Sequence, residues 1–264
     1  MRRWATIGAV VIAVASAAIV GVVCLFVGGC GSTREPTASS TPTASRSPGG
    51  SPDAALRTPT AKRPLRLWIG GDSHVETLAM FLEPLARETG VIAPSSTGVS
   101  GSGLAYPDFF DWPATLQTVL PDRRPEAVVF MVGTNDFTDL PGDGKMLVFG
   151  TDAWRDEYRA RVAGIIAAMR KASVQRIYWV GAPVMGSADL SDQMKIINTC
   201  LQEEVERHGD YARYIDSWSV LAGADGGFEP RWREPDGVHM NGAGAERLAR
   251  AVMKVVAREW GIEQ

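Results

Sequence analysis

The chain is poor in the residue types that most often bind transition metals or form disulfides. It contains three histidines and three cysteines among 264 residues. The cysteines, Cys24, Cys30 and Cys200, show no C-x-x-C spacing that would indicate a zinc or redox site. The sequence therefore predicts a protein without a bound metal, and we expect no other cofactor.

Blocks of positive charge are also missing. The 27 lysines and arginines are outnumbered by 30 acidic residues, and basic residues cluster only in short pairs. Proteins that bind nucleic acid need a basic surface against the phosphate backbone. We therefore expect no nucleic-acid partner. With 45% apolar residues and no internal repeat, the composition is typical of a globular protein.

The N-terminus has the pattern of an export segment. Arg2 and Arg3 precede an uncharged, apolar run over residues 5–27, which is followed by Gly28-Gly29-Cys30. This ending resembles a bacterial lipobox, in which the cysteine, here Cys30, is acylated and becomes the mature N-terminus. Because about twenty apolar residues also span a bilayer, residues 1–30 are either a cleaved signal or a retained membrane anchor. Whether the protein is a lipoprotein, is held by a transmembrane anchor or is secreted, the chain after residue 30 is expected outside the cytoplasm.

The rest of the chain divides into a linker and one domain. Residues 31–63 consist mainly of Ser, Thr, Pro and Gly, which cannot bury a core, so we expect a disordered tether. Residues 64–264 are long enough for one domain with a single core. The predicted organisation is thus a membrane-anchored, extracytoplasmic domain on a flexible linker.

Strand-like and helix-like segments alternate through this domain. Short runs of β-branched and aromatic residues predict strands at 65–70, 91–93, 127–132, 176–180 and 213–216. Apolar residues at helical spacing predict helices at 75–88, 153–171, 190–207 and 244–260. The alternation predicts an α/β fold with a parallel sheet between two helical layers. Two segments, 137–151 and 221–235, show neither pattern and are expected to form loops that border the site.

Two short motifs indicate a serine nucleophile and its base. Gly71-Asp72-Ser73 follows the first strand, and Asp236-Gly237-Val238-His239 precedes the last helix. A serine hydroxyl attacks at neutral pH only when an imidazole accepts its proton, and a carboxylate must orient that imidazole. Asp236 and His239 are close enough in sequence to supply both groups. No G-x-S-x-G surrounds Ser73, which disfavours the elbow of an ordinary α/β-hydrolase.

Polar residues and glycines follow the first three predicted strands in a recognisable order. Ser73 follows the first strand, Gly101 lies after the second, and Asn135 follows the third within Gly133-Thr134-Asn135-Asp136. With His239 they form four blocks that resemble those of the SGNH hydrolases, also called the GDSL family. The resemblance covers nearly all of the domain. It implies a three-layer α/β/α, flavodoxin-like fold with a five-stranded parallel sheet.

The resemblance also implies roles for these residues. Ser73 would be the nucleophile, and Asp236 with His239 would be the catalytic pair. The oxyanion hole would consist of the backbone N–H of Ser73, the N–H of Gly101 and the side-chain amide of Asn135. Gly98 and Gly103 are alternatives to Gly101 for the second donor.

Several other side chains have two interpretations. His74 is interpreted as a water-exposed residue at the start of a helix, with substrate contact as the alternative. The aromatic residues Phe109, Trp112, Trp154 and Trp232 are candidates for stacking on sugars, although burial in the core is the favoured interpretation for any one of them, because aromatic residues mostly supply packing area.

The predicted function is that of an extracytoplasmic serine esterase or O-acyltransferase. The expected substrate is a small-molecule or glycan acyl ester, above all an O-acetyl ester of a cell-envelope glycan, because the resemblance extends to envelope-associated SGNH proteins. Two alternatives remain open at this stage. One is a tethered carbohydrate-binding or scaffold protein without turnover, and the other is a lipase-type carboxylesterase.

Overall fold

The computed structural model describes residues 56–263. The predicted export segment with Cys30, and most of the predicted linker, lie outside the described residues. Within residues 56–263, no helix combines the length and hydropathy that a bilayer span requires.

Seven strands are present in the described residues. They are β1 (Leu65–Gly71), β2 (Ile92–Gly98), β3 (Ala127–Met131), β4 (Leu140–Pro141), β5 (Met146–Leu147), β6 (Arg176–Val180) and β7 (Ala212–Ile215). Five of them form one parallel sheet in the order β2-β1-β3-β6-β7, while β4 and β5 form a small antiparallel hairpin. The predicted five-stranded parallel sheet is confirmed.

Strand β2 is longer than the sequence predicts. The prediction ended at residue 93, whereas the strand continues to Gly98 through a run of proline, serine and threonine. This strand lies at the edge of the sheet and pairs only with β1. An edge strand tolerates proline and polar side chains because one side of its backbone needs no partner strand.

Within residues 56–263, six α-helices surround the sheet. They are α1 (Ser73–Glu88), α2 (Trp112–Arg123), α3 (Asp152–Lys171), α4 (Ala188–Arg207), α5 (Ser217–Leu221) and α6 (Gly242–Trp260), with a 3-10 turn at Pro230–Trp232. The four predicted helices end where expected and begin one or two residues earlier. The extra residues follow polar N-caps, whose side chains accept a backbone N–H of the first turn.

Helix α2 was missed because its sequence contains two prolines. Pro113 lies in the first turn, where the missing N–H would have no helical partner anyway. Pro121 lies near the C-terminal end of the helix. The buried side chains of Trp112, Leu116 and Leu120 fix this helix against the core, so packing outweighs a weak local pattern.

The two faces of the sheet bury separate clusters of side chains. In β3, Val128 and Phe130 point to one face, and Val129 and Met131 point to the other. Residues of α2, α3 and α4 complete the first cluster, and residues of α1 and α6 complete the second. Helices therefore cover both faces, which confirms the predicted three-layer α/β/α arrangement.

The packed chain begins before residue 64, where the sequence placed the domain boundary. The Arg57 guanidinium makes two hydrogen bonds to the carboxylate of Glu126, from Nε at 2.8 Å and from Nη2 at 2.6 Å. Glu126 is buried, and Leu56 packs against the cluster formed with α1 and α6. Residues 56–63 look like linker by composition, but these tertiary contacts attach them to the domain.

The C-terminal end of β1 lies in close contact with β3. Gly71 is in register with Gly98 of β2 and with Met131 of β3, so three strands end at one level. A Cβ atom on Gly71 would lie 2.0 Å from the Met131 carbonyl oxygen and 2.6 Å from Val75 Cγ2. Only glycine fits here, and the close approach places Ser73 directly above the sheet edge.

We therefore expect Gly71→Ala to destabilise the protein strongly. The added methyl group meets backbone that cannot move without disrupting the sheet, so the free energy of unfolding should fall by about 3 kcal/mol or more. The matched control is Gly164→Ala in α3, where a Cβ would have no neighbour within 4 Å. That change should raise stability by about 0.5–1 kcal/mol, because alanine favours helix over glycine. Urea unfolding curves of both variants measure the difference, and equal stabilities would contradict the steric argument.

Candidate active site

Three side chains from two distant parts of the chain form a hydrogen-bonded series. Ser73 Oγ lies 3.0 Å from His239 Nε2, and His239 Nδ1 lies 2.7 Å from Asp236 Oδ2. Ser73 is the first residue of α1, while Asp236 and His239 lie in the loop before α6. The structure thus brings together the serine, histidine and carboxylate that the two sequence motifs suggested.

The loop holds Asp236 in its ionised form. Asp236 Oδ1 accepts the backbone N–H groups of Val238 at 2.8 Å and of His239 at 3.0 Å. The hydrogen bond from the His239 ring, together with these backbone bonds, lowers the pKa of Asp236 to about 2. We assign the ring proton to His239 Nδ1, facing the carboxylate, which leaves Nε2 free to accept the Ser73 hydroxyl proton.

Asp72 fixes the start of α1 and thereby Ser73. Its carboxylate is fully buried and accepts the N–H of His74 at 3.0 Å and the Thr134 hydroxyl at 2.7 Å. Burial raises the pKa of Asp72 to about 7, although these hydrogen bonds act to lower it. Ser73 is 9% exposed, and its N–H, at the first position of the helix, has no acceptor within the helix.

The loop after β2 presents Gly101 toward solvent. The Ser102 N–H donates to the Val99 carbonyl at 3.1 Å, and Gly101, with φ of +76°, occupies the turn that this bond closes. The two alternative glycines are enclosed. A Cβ on Gly98 would lie 2.5 Å from Glu76, and one on Gly103 would lie 2.1 Å from Asp136. Gly101 is thus the exposed member of the three.

Asn135 connects the third strand end to this loop. Its side-chain Nδ2 donates to the Ser102 carbonyl at 2.9 Å, and the residue is partly buried. The amide has two N–H groups, so one remains for another acceptor. The bond fixes the orientation of the amide beside the turn that holds Gly101.

Asp136 is a structural residue that the sequence analysis missed. Its buried carboxylate accepts the N–H groups of Leu104 at 3.0 Å and Ala105 at 2.8 Å, and the Tyr158 hydroxyl at 2.8 Å. Burial raises the pKa of Asp136. No local signal pointed to this role, because Leu104 and Ala105 lie 32 and 31 positions from Asp136 in the chain.

His74 lies in the interior, so the interpretation of an exposed helix-start residue is wrong. The side chain is 1% exposed, and neither ring nitrogen has a hydrogen-bond partner among the described residues. Its ring stacks on that of His239 with centroids 5.4 Å apart and planes 28° apart. Desolvation, followed by the charges of His239 and Arg233, lowers the pKa of His74 to about 3, so the ring is neutral at physiological pH.

The four candidate sugar-stacking residues separate into two groups. Trp112 and Trp154 are fully buried, so they belong to the core and cannot stack on a sugar. Phe109 is 65% exposed. Trp232 is partly exposed, and the guanidinium groups of Arg231 and Arg247 lie 4.9 and 5.1 Å from its ring centroid.

The two segments without predicted structure contain short elements. Residues 137–151 include the β4–β5 hairpin, and residues 221–235 include the 3-10 turn. The second segment directly borders the site. The Glu234 N–H donates to the His239 carbonyl at 2.9 Å, and Arg233 pairs with Met240 in an isolated β-bridge. In the part of the chain that the structure describes, no group of three or more His, Cys, Asp or Glu side chains is placed to hold a metal ion.

Comparison with known families identifies the chain by sequence. Residues 66–255 match the family described as "Protein of unknown function (DUF459)". The chain belongs to this family. No curated protein matches the sequence of this DUF459 protein.

Solved structures of GDSL-type enzymes share the fold of this DUF459 protein. A GDSL-like lipase from Bacteroides thetaiotaomicron is 15% identical with a TM-score of 0.56, covering 77% of this chain and 92% of that chain. A lipase/acylhydrolase from Enterococcus faecalis is 16% identical with a TM-score of 0.56, covering 76% and 100%. An acetylxylan esterase from Geobacillus stearothermophilus is 19% identical with a TM-score of 0.53, covering 75% and 94%. At these identities the likeness shows the fold, and it confirms the resemblance to the SGNH (GDSL-type) family.

The buried, neutral His74 leads to a prediction about acid stability. The unfolded chain binds a proton at this residue below about pH 6.5, whereas the folded chain does so only near pH 3. The unfolded state therefore binds more protons in this window, and stability falls as the pH falls from 6.5 toward 3. Between pH 6.5 and pH 4.5, the loss due to His74 should be on the order of 2 kcal/mol.

His74→Leu should remove this contribution. We expect urea unfolding at a series of pH values to show a shallower acid slope for His74→Leu than for the unmodified chain. Met80→Leu, at a 71% exposed position of the same helix, is the control and should retain the original slope. Parallel slopes for all three proteins would contradict this, because they would show that His74 binds its proton over the same pH range in the folded and unfolded states.

Proposed function

We propose that this DUF459 protein is a serine esterase or O-acyltransferase that works through an acyl-Ser73 intermediate. The observation that carries the proposal is the series Ser73 Oγ–His239 Nε2–His239 Nδ1–Asp236 Oδ2, with separations of 3.0 and 2.7 Å. Such a series turns a serine hydroxyl into a nucleophile, because the imidazole accepts its proton and the carboxylate stabilises the resulting imidazolium.

In the acylation step, Ser73 Oγ attacks the carbonyl carbon of an ester while His239 Nε2 accepts the hydroxyl proton. The tetrahedral intermediate then collapses, the bond to the leaving alkoxide breaks, and His239 returns the proton to the leaving oxygen. Asp236 stays ionised throughout, consistent with a pKa of about 2, and keeps the ring oriented.

Three N–H donors are proposed to stabilise the oxyanion. They are the backbone N–H groups of Ser73 and Gly101 and the free amide N–H of Asn135. Removal of one such donor typically costs about 3 kcal/mol of transition-state stabilisation. The hydrogen bond from Asn135 to the Ser102 carbonyl supports this role, because it orients the amide before substrate binds.

The second step decides between hydrolysis and transfer. Water that attacks acyl-Ser73 releases the acid, whereas a sugar hydroxyl that attacks it forms a new ester. The His239 and Asp236 side chains are 42% and 48% exposed, which leaves room for either acceptor beside the catalytic pair.

The proposed substrate is an O-acyl ester, above all an O-acetyl ester, of a cell-envelope glycan. The structurally similar acetylxylan esterase from Geobacillus stearothermophilus supports an acetylated sugar as substrate class. The export pattern of residues 1–30 supports an extracytoplasmic location, with anchoring through acylated Cys30 or through an uncleaved apolar helix.

Ser73→Ala in the full-length chain should abolish turnover of p-nitrophenyl acetate. We expect a loss of about a thousandfold or more, because the nucleophile is gone. Asn135→Ala should retain the nucleophile and lower kcat by about a hundredfold to a thousandfold. Ser95→Ala, a serine-to-alanine change in the middle of strand β2, is the matched control and should keep full activity. Steady-state kinetics with labelling by a fluorophosphonate measures both turnover and the activated hydroxyl.

Two results would overturn the proposal. The first is turnover by Ser73→Ala equal to that of the unmodified chain. The second is neither turnover nor labelling in a folded sample, which would favour a non-catalytic carbohydrate-binding role. Mass spectrometry with added chitooligosaccharide or xylan then separates the two activities, because a transferase acylates the sugar and an esterase does not.

Membrane anchoring through Cys30 is tested in bacterial cells that express the full-length chain. If Cys30 is acylated, the unmodified chain should incorporate an alkyne-labelled fatty acid and lose residues 1–29, whereas Cys30→Ser should lose the label and retain those residues. Cys200→Ser is the control, because Cys200 is buried in α4 and should not affect labelling. A membrane-bound, unmodified chain that carries no label and retains residues 1–29 would favour the uncleaved anchor.

A further inference from the structure

A cleft of about 630 Å³ lies next to the loop that carries the catalytic pair. It is bounded by α4, by the segments that follow β6 and β7, and by the loop at residues 226–228. Its position at the carboxyl ends of the strands is the usual place for ligands in folds of this type. Ser73 is not part of its lining, so the cleft is distinct from the point of chemistry.

The Asp236–His239 loop packs against the wall of the cleft that Gly186 and Phe228 form. Its lining residue Gly186 donates its N–H to the Gly237 carbonyl at 2.8 Å. A Cβ on Gly237 would lie 3.2 Å from Gly186 Cα and 3.7 Å from the ring of Phe228, which also lines the cleft. A molecule that fills the cleft therefore contacts the two residues, Gly186 and Phe228, that pack against the backbone between Asp236 and His239.

Aromatic rings provide flat apolar surface in this cleft. Trp218, Phe228 and Tyr214 are all part of its lining. Trp218 is partly exposed, and its Nε1 donates to the Gly226 carbonyl at 3.1 Å, which fixes the plane of the ring. Fixed aromatic faces suit the C–H faces of sugar rings, which are apolar and rigid.

Hydrogen-bonding side chains surround these rings without an excess of positive charge. Lys195 forms an ion pair with Asp192 at 2.8 Å, and Asp216 adds a second acidic side chain. Gln202 contributes a neutral amide at an exposed position of α4. Since the one lysine in the lining is already paired, the cleft is poorly suited to a phosphate or another anion. Polar side chains of α4, including Asn198, Thr199 and Gln202, line one side of the cleft, and a fatty-acyl chain would cover these groups without giving them a hydrogen-bond partner.

We infer that this cleft binds the uncharged oligosaccharide part of the substrate and places its ester at Ser73. This inference rests on the proposed function, and it names the part of the surface that recognises the glycan. The volume lies within the range of about 300–1,000 Å³ that is typical of small-ligand sites. The ligand that matches this lining has several hydroxyl groups and rings with apolar faces.

The test compares two esters with the full-length protein. O-acetylated xylotetraose carries sugar that can fill the cleft, while p-nitrophenyl acetate carries no sugar. Trp218→Ala removes the fixed aromatic face. Gln202→Ala removes a polar contact at an exposed helical position, so it tests the cleft without a change in the core. Met80→Ala, exposed on α1, is the control.

We expect the ratio of kcat/KM for O-acetylated xylotetraose to kcat/KM for p-nitrophenyl acetate to fall at least fivefold in Trp218→Ala. A smaller fall in the same direction is expected for Gln202→Ala, and Met80→Ala should leave the ratio unchanged. The ratio is independent of the fraction of folded enzyme, so partial unfolding of a variant does not imitate the result.

Three results would overturn the inference while the proposed function stands. They are an unchanged ratio in both cleft variants, the same change in Met80→Ala, and turnover of p-nitrophenyl acetate without turnover of the acetylated sugar. Absence of turnover with both esters would instead overturn the proposed function itself.

Discussion

The close approach of β1 to β3 is the constraint on which the site depends. Gly71 has no side chain, so its backbone lies against the Met131 carbonyl, which accepts the Asp72 N–H at 3.0 Å. The Asp72 side chain then accepts the Thr134 hydroxyl from the segment after β3. These contacts fix the start of α1 relative to the third strand end. Ser73 therefore stands at a set distance from Asn135 without any direct bond between the two.

Two buried carboxylates hold the inner part of the site, and an exposed one supports its outer part. Asp72 binds the segment after β3, and Asp136 in that segment binds the loop after β2. Desolvation of a carboxylate is costly, and the hydrogen bonds that each receives offset this cost. Asp236 lies near solvent, and its hydrogen bonds to the His239 ring and to backbone N–H groups keep it charged. Asp72 and Asp136 thus hold the loops of the site in position, while Asp236 is suited to stabilise positive charge on the His239 imidazole.

Much of the fold followed from local pattern. Four of the five sheet strands are short β-branched or aromatic runs, four helices have apolar residues at helical spacing, and the C-terminal ends of those helices matched the prediction. Helix α2 and the packed segment 56–63 were missed, since prolines and polar residues hide elements that tertiary contacts hold in place. His74 was misplaced for a related reason. The first turn of a helix usually faces water, but here the ring packs against His239 from the other end of the domain.

The sequence by itself determined the residue types of the site and their order along the chain. Asp236 and His239 lie within one turn, so their pairing follows from local chemistry and was open to prediction. The distance from Ser73 to His239, separated by 166 positions, was decided only by the tertiary structure. The tertiary structure also decided that Gly101 is the exposed glycine and that His74 is buried. It likewise formed the cleft beside Gly186. Each of these features depends on which loops lie next to each other at the edge of the sheet. The register of the strands and the packing of the helices determine this, and both depend on contacts between residues far apart in the chain.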